Sequence, residues 1–349
     1  MRSCKLWVVG RRYPAYKHPN AQGCWRLATA RDLYPSPIPR ALVTGITGQD
    51  GFYLAEQLLR RGYEVVGMVR SEWTPMAGVE TVHGDLADHA SLRAAVLDTA
   101  PDELYHLAGP TFVPASWKAP AETMALVAGG TATLLQATRE VDGGVRVLVA
   151  GSGETFGAAK QSPQTEETPM RPRSPYGVAK LAAFGLVDVM RHKHGLHAST
   201  AIAYNHESPR RPERFLPRKV ARGAAAIKLG LQDELALGDL DAIRDWCDAR
   251  DVVRGYQLML EQDEPGDVIL ASGVGRTVRE LVDTAFAVVG LDPSDYVRVS
   301  EKLKRGGERT PPVGDPSLAR KRLGWEPEIS FEAMITEMVE ADLAELAAA

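Results

Sequence analysis

Short apolar runs alternate with stretches of helical spacing along the first part of the chain. Ala41 to Val43 is the first run, and Phe52, Leu54, Ala55, Leu58 and Leu59 follow it at helical intervals. Glu64 to Val69 is a second run and Thr81 to His83 a third, before a helix that includes Leu92, Ala95 and Val96. Glu103 to Leu107 is a fourth run, residues 121 to 141 a long helix with Gly129 and Gly130 as close-contact points, and Arg146 to Ala150 a fifth run. Runs of this kind suit strands buried on both faces, and strand–helix alternation predicts a parallel sheet covered on both sides. The fold class expected is α/β: a Rossmann-type doubly wound parallel sheet over residues 41–204, with a later return near 240–262. A smaller α/β lobe occupies 205–349, where Val220, Ala224 and Ile227 mark one helix and Phe331 to Leu346 another, packed on that lobe. Ligands of such sheets sit beyond the carboxyl ends of the strands.

Between the first run and its helix stand Gly45, Gly48 and Gly51, spaced G-x-x-G-x-x-G. Strand, glycine turn and helix hold a dinucleotide pyrophosphate: one glycine makes the turn, one admits the phosphates, one lets helix meet strand, and the helix N-terminus offers N–H groups. Arg70 ends the second run, where an acid would accept from a ribose 2′-OH and an arginine suits a 2′-phosphate. Arg70 with Ser71 points to NADP. Asp85 is placed either to touch the adenine or to cap the following helix, and Ala108-Gly109 gives small residues where the cofactor backbone passes.

Composition narrows the class. The chain has 349 residues, 44% hydrophobic and 25% charged, and a formal net charge of −4. That balance gives no drive toward nucleic acid or acidic membranes. No apolar run is long enough to span a bilayer. Cys4, Cys24 and Cys247 form neither a disulfide framework nor a zinc pattern, so a reducing, cytoplasmic setting is expected. Residues 1–40 differ: they are rich in Arg, Lys, Pro and Tyr, with Asp32 the only acid. The favoured reading is a poorly ordered extension; a basic targeting arm or a partner-binding tail are the alternatives.

The chemistry lies after the fifth run. Gly151-Ser-Gly-Glu-Thr-Phe-Gly157 is followed by Ser174-Pro-Tyr-Gly-Val-Ala-Lys180, which opens a helix. Tyr176 and Lys180 are four apart and share a helix face. An ammonium near a phenol is expected to lower the Tyr pKa. Such a tyrosine can take the proton of a sugar hydroxyl while a nicotinamide oxidises the carbon. Ser152 can hydrogen-bond the same hydroxyl, and Glu154 adds a carboxylate that a plain dehydrogenase does not need. His192-Lys-His194-Gly-Leu-His197 has no metal spacing and reads as a helix end and turn.

The order of these motifs resembles the extended short-chain dehydrogenase/reductases, and within them the GDP-mannose 4,6-dehydratases. The likeness rests on Gly45-Ile-Thr-Gly-Gln-Asp-Gly51, on Ser174 to Lys180, and on Asn205-His-Glu-Ser-Pro-Arg-Arg211. Gly238-Asp-Leu-Asp-Ala-Ile-Arg-Asp-Trp246, Gly314-Asp-Pro and Leu323-Gly-Trp325 add to it, so that it covers the chain from Pro39 onward. The resemblance implies an NADP site formed by Gly45, Thr47, Gly48, Gln49, Asp50 and Gly51, with Arg70, Asp85, Leu86, Leu107 and Ala108. Tyr176, Lys180 and His206 complete it. It implies a GDP-sugar site of Asn205, Arg218, Lys219, Arg244, Arg305 and Glu308, and a catalytic set of Ser152, Glu154, Tyr176 and Lys180. The implied reaction oxidises C4 as Tyr176 takes the 4-OH proton; Glu154 then removes the C5 proton, water leaves from C6, and NADP is regenerated. Two departures matter. Gly153 replaces the Ser or Asp usual before the glutamate, and the segment from Arg70 to Gly84 is shorter than the family's subunit-contacting loop. The second favours a homodimer over a tetramer. Both move the chain toward a 4-keto-sugar reductase or epimerase, the second reading; a non-catalytic NADP-binding protein is the third, and the complete Ser152, Tyr176 and Lys180 set argues against it.

Overall fold

Seven parallel strands make the central sheet of the computed structural model, which describes residues 38–303 and 310–348. Of the first 37 residues only the backbone of four short strands is described, Lys5–Val8 with Arg11–Pro14 and Lys17–Pro19 with Trp25–Leu27, each pair antiparallel. The expectation of a poorly ordered arm lies otherwise outside the described residues. The sheet strands are β1 (Arg40–Thr44), β2 (Glu64–Val69), β3 (Val79–His83), β4 (Glu103–His106), β5 (Arg146–Ala150) and β6 (Ala198–Ala203). Its seventh member comes later, and is Val268–Leu270. Their order is β3-β2-β1-β4-β5-β6 and then Val268–Leu270. The chain therefore winds outward one way from β1 and the other way from β4, so the crevice opens between the ends of these two strands.

Alternate residues of β1 bury into opposite layers. Ala41 and Val43 join a cluster with Leu54 and Leu58 of α1 (Gln49–Arg60), with Val252, Val253 and Tyr256, and with Trp325. Leu42 joins Val96 of α2 (His89–Thr99), Leu134, Val147 and Val187 on the other side. The expected long helix runs continuously from Pro120 to Thr138, with a π turn at Ala125–Gly129 between Pro120–Met124 and Gly130–Thr138. A Cβ at Gly130 would stand 2.8 Å from Leu86 Cδ2, so the glycine lets this helix close on the loop after β3. α3 (Pro175–His194) starts with Ser174 accepting from Gly177 N and Pro175 at its first position, and ends at Gly195 in the left-handed region. The histidine-rich segment is indeed that helix end.

Two later elements pack back on the central sheet. α4 (Ala249–Leu260) covers the face beside α1, and Val268–Leu270 extends the sheet. Ile243–Asp248 instead joins Asn205–Glu207 and Gly275–Thr277 in a separate three-stranded sheet. The smaller lobe has its own core, built from α5 (Leu216–Lys228), α6 (Val278–Val289) and α7 (Phe331–Ala348). α7 contributes Met334, Ile335, Met338 and Val339, one apolar face at helical spacing.

Candidate active site

The glycine turn is shaped by what it must approach. Gly45 has φ +75°, and a Cβ there would come 2.8 Å from the backbone nitrogen of Ala108. A Cβ on Gly51 would stand 2.3 Å from the Gly45 carbonyl oxygen. Beneath the turn, buried Thr44 Oγ1 accepts from Leu107 N and Ala108 N, each at 3.1 Å, and lies 2.8 Å from His106 Nδ1. Burial and the Lys180 charge push His106 down to about 3, so its ring is neutral. The hydroxyl has one proton, which goes to Nδ1 and leaves the ring proton on Nε2. This network fixes Leu107 and Ala108 beside the turn. Gly48, the residue before α1, supplies no side-chain cap. The first N–H groups of α1 have no partner within the helix and face the cleft. A turn that admits no Cβ and an uncapped helix start fit a dinucleotide pyrophosphate.

The cleft above has a volume of about 1790 Å³. Sites for one small ligand measure about 300–1,000 Å³, so it has room for a dinucleotide and a second nucleotide. Gly45, Thr47, Gly48, Gln49, Asp50, Gly51, Arg70, Asp85, Leu86, Leu107, Ala108 and His206 all line it. Asp85 does not cap α2. Asp88 does, accepting from Ala90 N and Ser91 N, while Asp85 accepts from Ala87 N at 2.9 Å.

Ser152, Glu154, Tyr176 and Lys180 line the same cleft. Ser152 follows β5; its hydroxyl accepts from Glu154 N at 3.2 Å and favours the ionised form of the nearby Tyr176 phenol. One correction concerns the tyrosine. Burial pushes Tyr176 up to about 12, with Ser152 opposing. Lys180 Nζ donates to the Ala150 carbonyl at 2.6 Å and stands 5.8 Å from the Tyr176 ring centre, so its charge does not outweigh the burial. Burial lowers Lys180 to about 8, against the Asp50 charge. Gly153 has a steric reason: a Cβ there would meet the Tyr204 ring at 3.2 Å. That ring is held by its hydroxyl donating to Gln164 Oε1 at 2.8 Å and by stacking on Phe156.

In the substrate lobe Asn205, Lys219 and Arg244 reach the cleft. Arg244 is aimed there because its neighbour Asp245 points the other way and is buried, accepting from Ser272 N, Gly273 N and Gly314 N. Arg218 does not reach it. Its guanidinium is buried against Asp342, 2.6 Å away, and ties α5 to α7. Arg305 and Glu308 lie outside the described residues. Sequence reasoning missed Arg211, Phe112 and Phe215. Arg211 pairs with Glu207 at 3.1 Å and stacks over Phe215 at 3.7 Å, and Phe215 meets Phe112 edge to face across the cleft. The Pro209-Arg-Arg run held the signal for Arg211, but nothing in it told which arginine turns inward.

A doubly wound sheet with Ser152, Tyr176 and Lys180 at its carboxyl edge and a second lobe closing the cleft defines an extended short-chain dehydrogenase/reductase. The chain belongs to the GDP-mannose 4,6-dehydratase family, whose model matches residues 42–338. GDP-mannose 4,6 dehydratase 1 of Arabidopsis thaliana is 42% identical over 323 residues, covering 87% of this chain and 89% of the relative. The GDP-mannose 4,6-dehydratase of Yersinia enterocolitica is 39% identical over 348 residues, covering 87% and 94%. Among solved structures, RMD from Pseudomonas aeruginosa complexed with NADPH is 28% identical with a TM-score of 0.76, covering 88% of this chain and 99% of that one. DesIV, a dTDP-glucose 4,6-dehydratase from Streptomyces venezuelae with NAD bound, is 25% identical with a TM-score of 0.76, covering 86% and 96%. No helix among the described residues is long and apolar enough to cross a membrane.

Proposed function

We propose that the protein is an NADP-dependent hydro-lyase that converts GDP-mannose, or a close relative, to GDP-4-keto-6-deoxymannose. The observation that carries this reading is Glu154, a carboxylate in the same cleft as Ser152 and Tyr176. Ser152 and Tyr176 orient the sugar 4-OH, and Tyr176, once its own proton has left for solvent, takes the proton of that hydroxyl. Lys180 holds the nicotinamide ribose and Arg70 the 2′-phosphate. NADP, when bound, accepts two electrons from C4 and returns them at C6. The new ketone acidifies C5–H, and Glu154 takes that proton. The C6–O bond then breaks as C5=C6 forms, and water leaves; C5 takes a proton from solvent as C6 is reduced. Gly153 supplies no acid, so protonated Glu154 is the group on that segment able to protonate the departing oxygen. Lys219, Arg211 and Arg244 offer cations to the diphosphate.

Gly153 and the short segment from Arg70 to Gly84 favour the reductase as a second reading. The relatives' names, at 37–42% identity, favour elimination. One assay separates the two. With GDP-mannose and catalytic NADP+, the dehydratase yields a 4-keto chromophore in alkali and no net NADPH. Net oxidation of NADPH by the 4-keto sugar, with no product from GDP-mannose, would mark a reductase.

The finer assignments rest on other features. Val178 and Val189 are exposed along one face of α3, where a Cβ on Gly185 would meet nothing, and Met124 and Trp117 are exposed on the neighbouring helices. This apolar stripe suits a second copy of the chain, and sedimentation of a dimer would support it where a monomer would refute it. Cys247, buried as a thiol, fits a cytoplasmic enzyme.

A further inference from the structure

The first turn of α1 is stitched to the segment that enters the substrate lobe. Gln49 Nε2 donates to the His206 carbonyl at 3.1 Å, and Ser208 Oγ donates to Gln49 Oε1 at 2.8 Å. Both ring nitrogens of His206 face oxygen: Nδ1 is 2.7 Å from the Tyr204 carbonyl and Nε2 is 2.8 Å from Asp50 Oδ2. A carbonyl only accepts, and so does an ionised carboxylate. Both nitrogens must then carry protons, and the ring is an imidazolium. Asp50 also accepts from Gln49 Nε2 at 3.1 Å and from the Tyr256 hydroxyl at 3.3 Å. Burial pushes Asp50 up, yet the His206 charge and these hydrogen bonds outweigh it and hold the carboxyl at about 2. Burial likewise pushes His206 down, and the Asp50 charge and hydrogen bond raise it overall.

We propose that Asp50 is a positioning residue acting through His206: it fixes a permanent imidazolium between the glycine turn and the substrate lobe, and the two charges cancel beside Tyr176 and Lys180. The groups around the pair come from four places. α1 gives Gln49; the segment entering the substrate lobe gives Glu207 and Arg211, already paired with each other; α4 gives Tyr256; α3 gives Tyr176 and Lys180. Arg211 opposes the charge on His206, so Asp50 is the group that sustains it. The Asp50 charge reaches Tyr176 and Lys180 and favours the protonated form of each. A bare Asp50 would therefore resist loss of the phenol proton, and His206 removes that resistance. The ring's protonation state stands on geometry alone; only its effect on catalysis rests on the proposed function.

The test begins with the full chain without added cofactor. Nitrogen-resolved NMR of His206 from about pH 6 to about pH 8 should show both ring nitrogens protonated throughout; a nitrogen without its proton at neutral pH would overturn the proposal, and this needs no variant. In D50N the ring should titrate across that range. Affinity for NADP+, flat with pH in the parent, should then fall about tenfold per unit of that titration. A loss in D50N that does not change with pH would assign Asp50 a purely structural role and refute the proposal. H206Q should move the limb on which sugar oxidation rises with pH upward by about one pH unit, and the D50N/H206Q pair should return it. Failure of the parent to bind NADP+ would count against the cofactor reading, while the NMR result would still decide the state of His206.

Discussion

Lys180 Nζ donates to the Ala150 carbonyl at 2.6 Å, and not to the Tyr176 phenol. The last residue of β5 thus anchors the lysine four positions along α3 from the tyrosine. Tyr176, buried and pushed up to about 12, is a neutral phenol near neutral pH and acts as the base only after losing its own proton. Its partner for proton transfer is the sugar hydroxyl, reached together with Ser152. Tyr176→Phe should cut oxidation at C4 by about 10²–10⁴-fold while NADP+ binding stays within about twofold. Stopped-flow absorbance of NADPH and a separate binding titration check both halves. Normal turnover by the variant would remove Tyr176 from the chemistry.

Glu154→Gln separates the two halves of the reaction. Oxidation at C4 does not need the carboxylate, but loss of the C5 proton does. A single turnover should therefore build up NADPH and 4-ketomannose without 6-deoxy product. Water loss at the parental rate would place the base elsewhere.

Arg218 and Lys219 are neighbours with different fates. Removing the buried Arg218 leaves Asp342 held by Arg222 at 3.2 Å, and the loss of the shorter bond should cost about 1–3 kcal/mol of stability. The folded fraction should keep its KM for the nucleotide sugar. Lys219→Ala should instead raise KM with little change in Tm. Denaturant unfolding and steady-state kinetics on both variants check this contrast.

The sheet was readable because most of its strands are short apolar runs tied to a turn or helix signal; the edge strand Val79–His83 is half polar. Val268–Leu270 escaped because three residues carry no period. Arg218 and Lys219 show a second limit. Adjacent helix positions point about 100° apart, and only the packing of α7 decides which one meets the cleft. Similarly, Tyr176 and Lys180 at i and i+4 predicted a shared face, which they have. The spacing said nothing of the Ala150 carbonyl that claims the ammonium. Gly153 read as a lost side chain; the ring of Tyr204 standing over it was invisible without the fold.

Stability should fall on the acid side of neutrality because of His106. Burial depresses this histidine to about 3 from 6.5. Between those values the unfolded chain binds a proton that the folded chain does not, so stability is lost as pH drops below 6.5. By pH 5 the loss from this residue should reach about 2 kcal/mol. His106→Asn, which keeps a partner for the Thr44 hydroxyl, should flatten that part of the profile. An unchanged slope in thermal melts across this range would show that another group causes it.

The most direct measurement follows one atom. GDP-mannose carrying deuterium at C4 is converted with catalytic, unlabelled NADP+, and the product is read by NMR. Internal return of the electrons removed at C4 predicts deuterium in the C6 methyl group of the 4-keto product. Label retained at C4, or recovered in released cofactor with C6 still bearing its hydroxyl, would contradict the account.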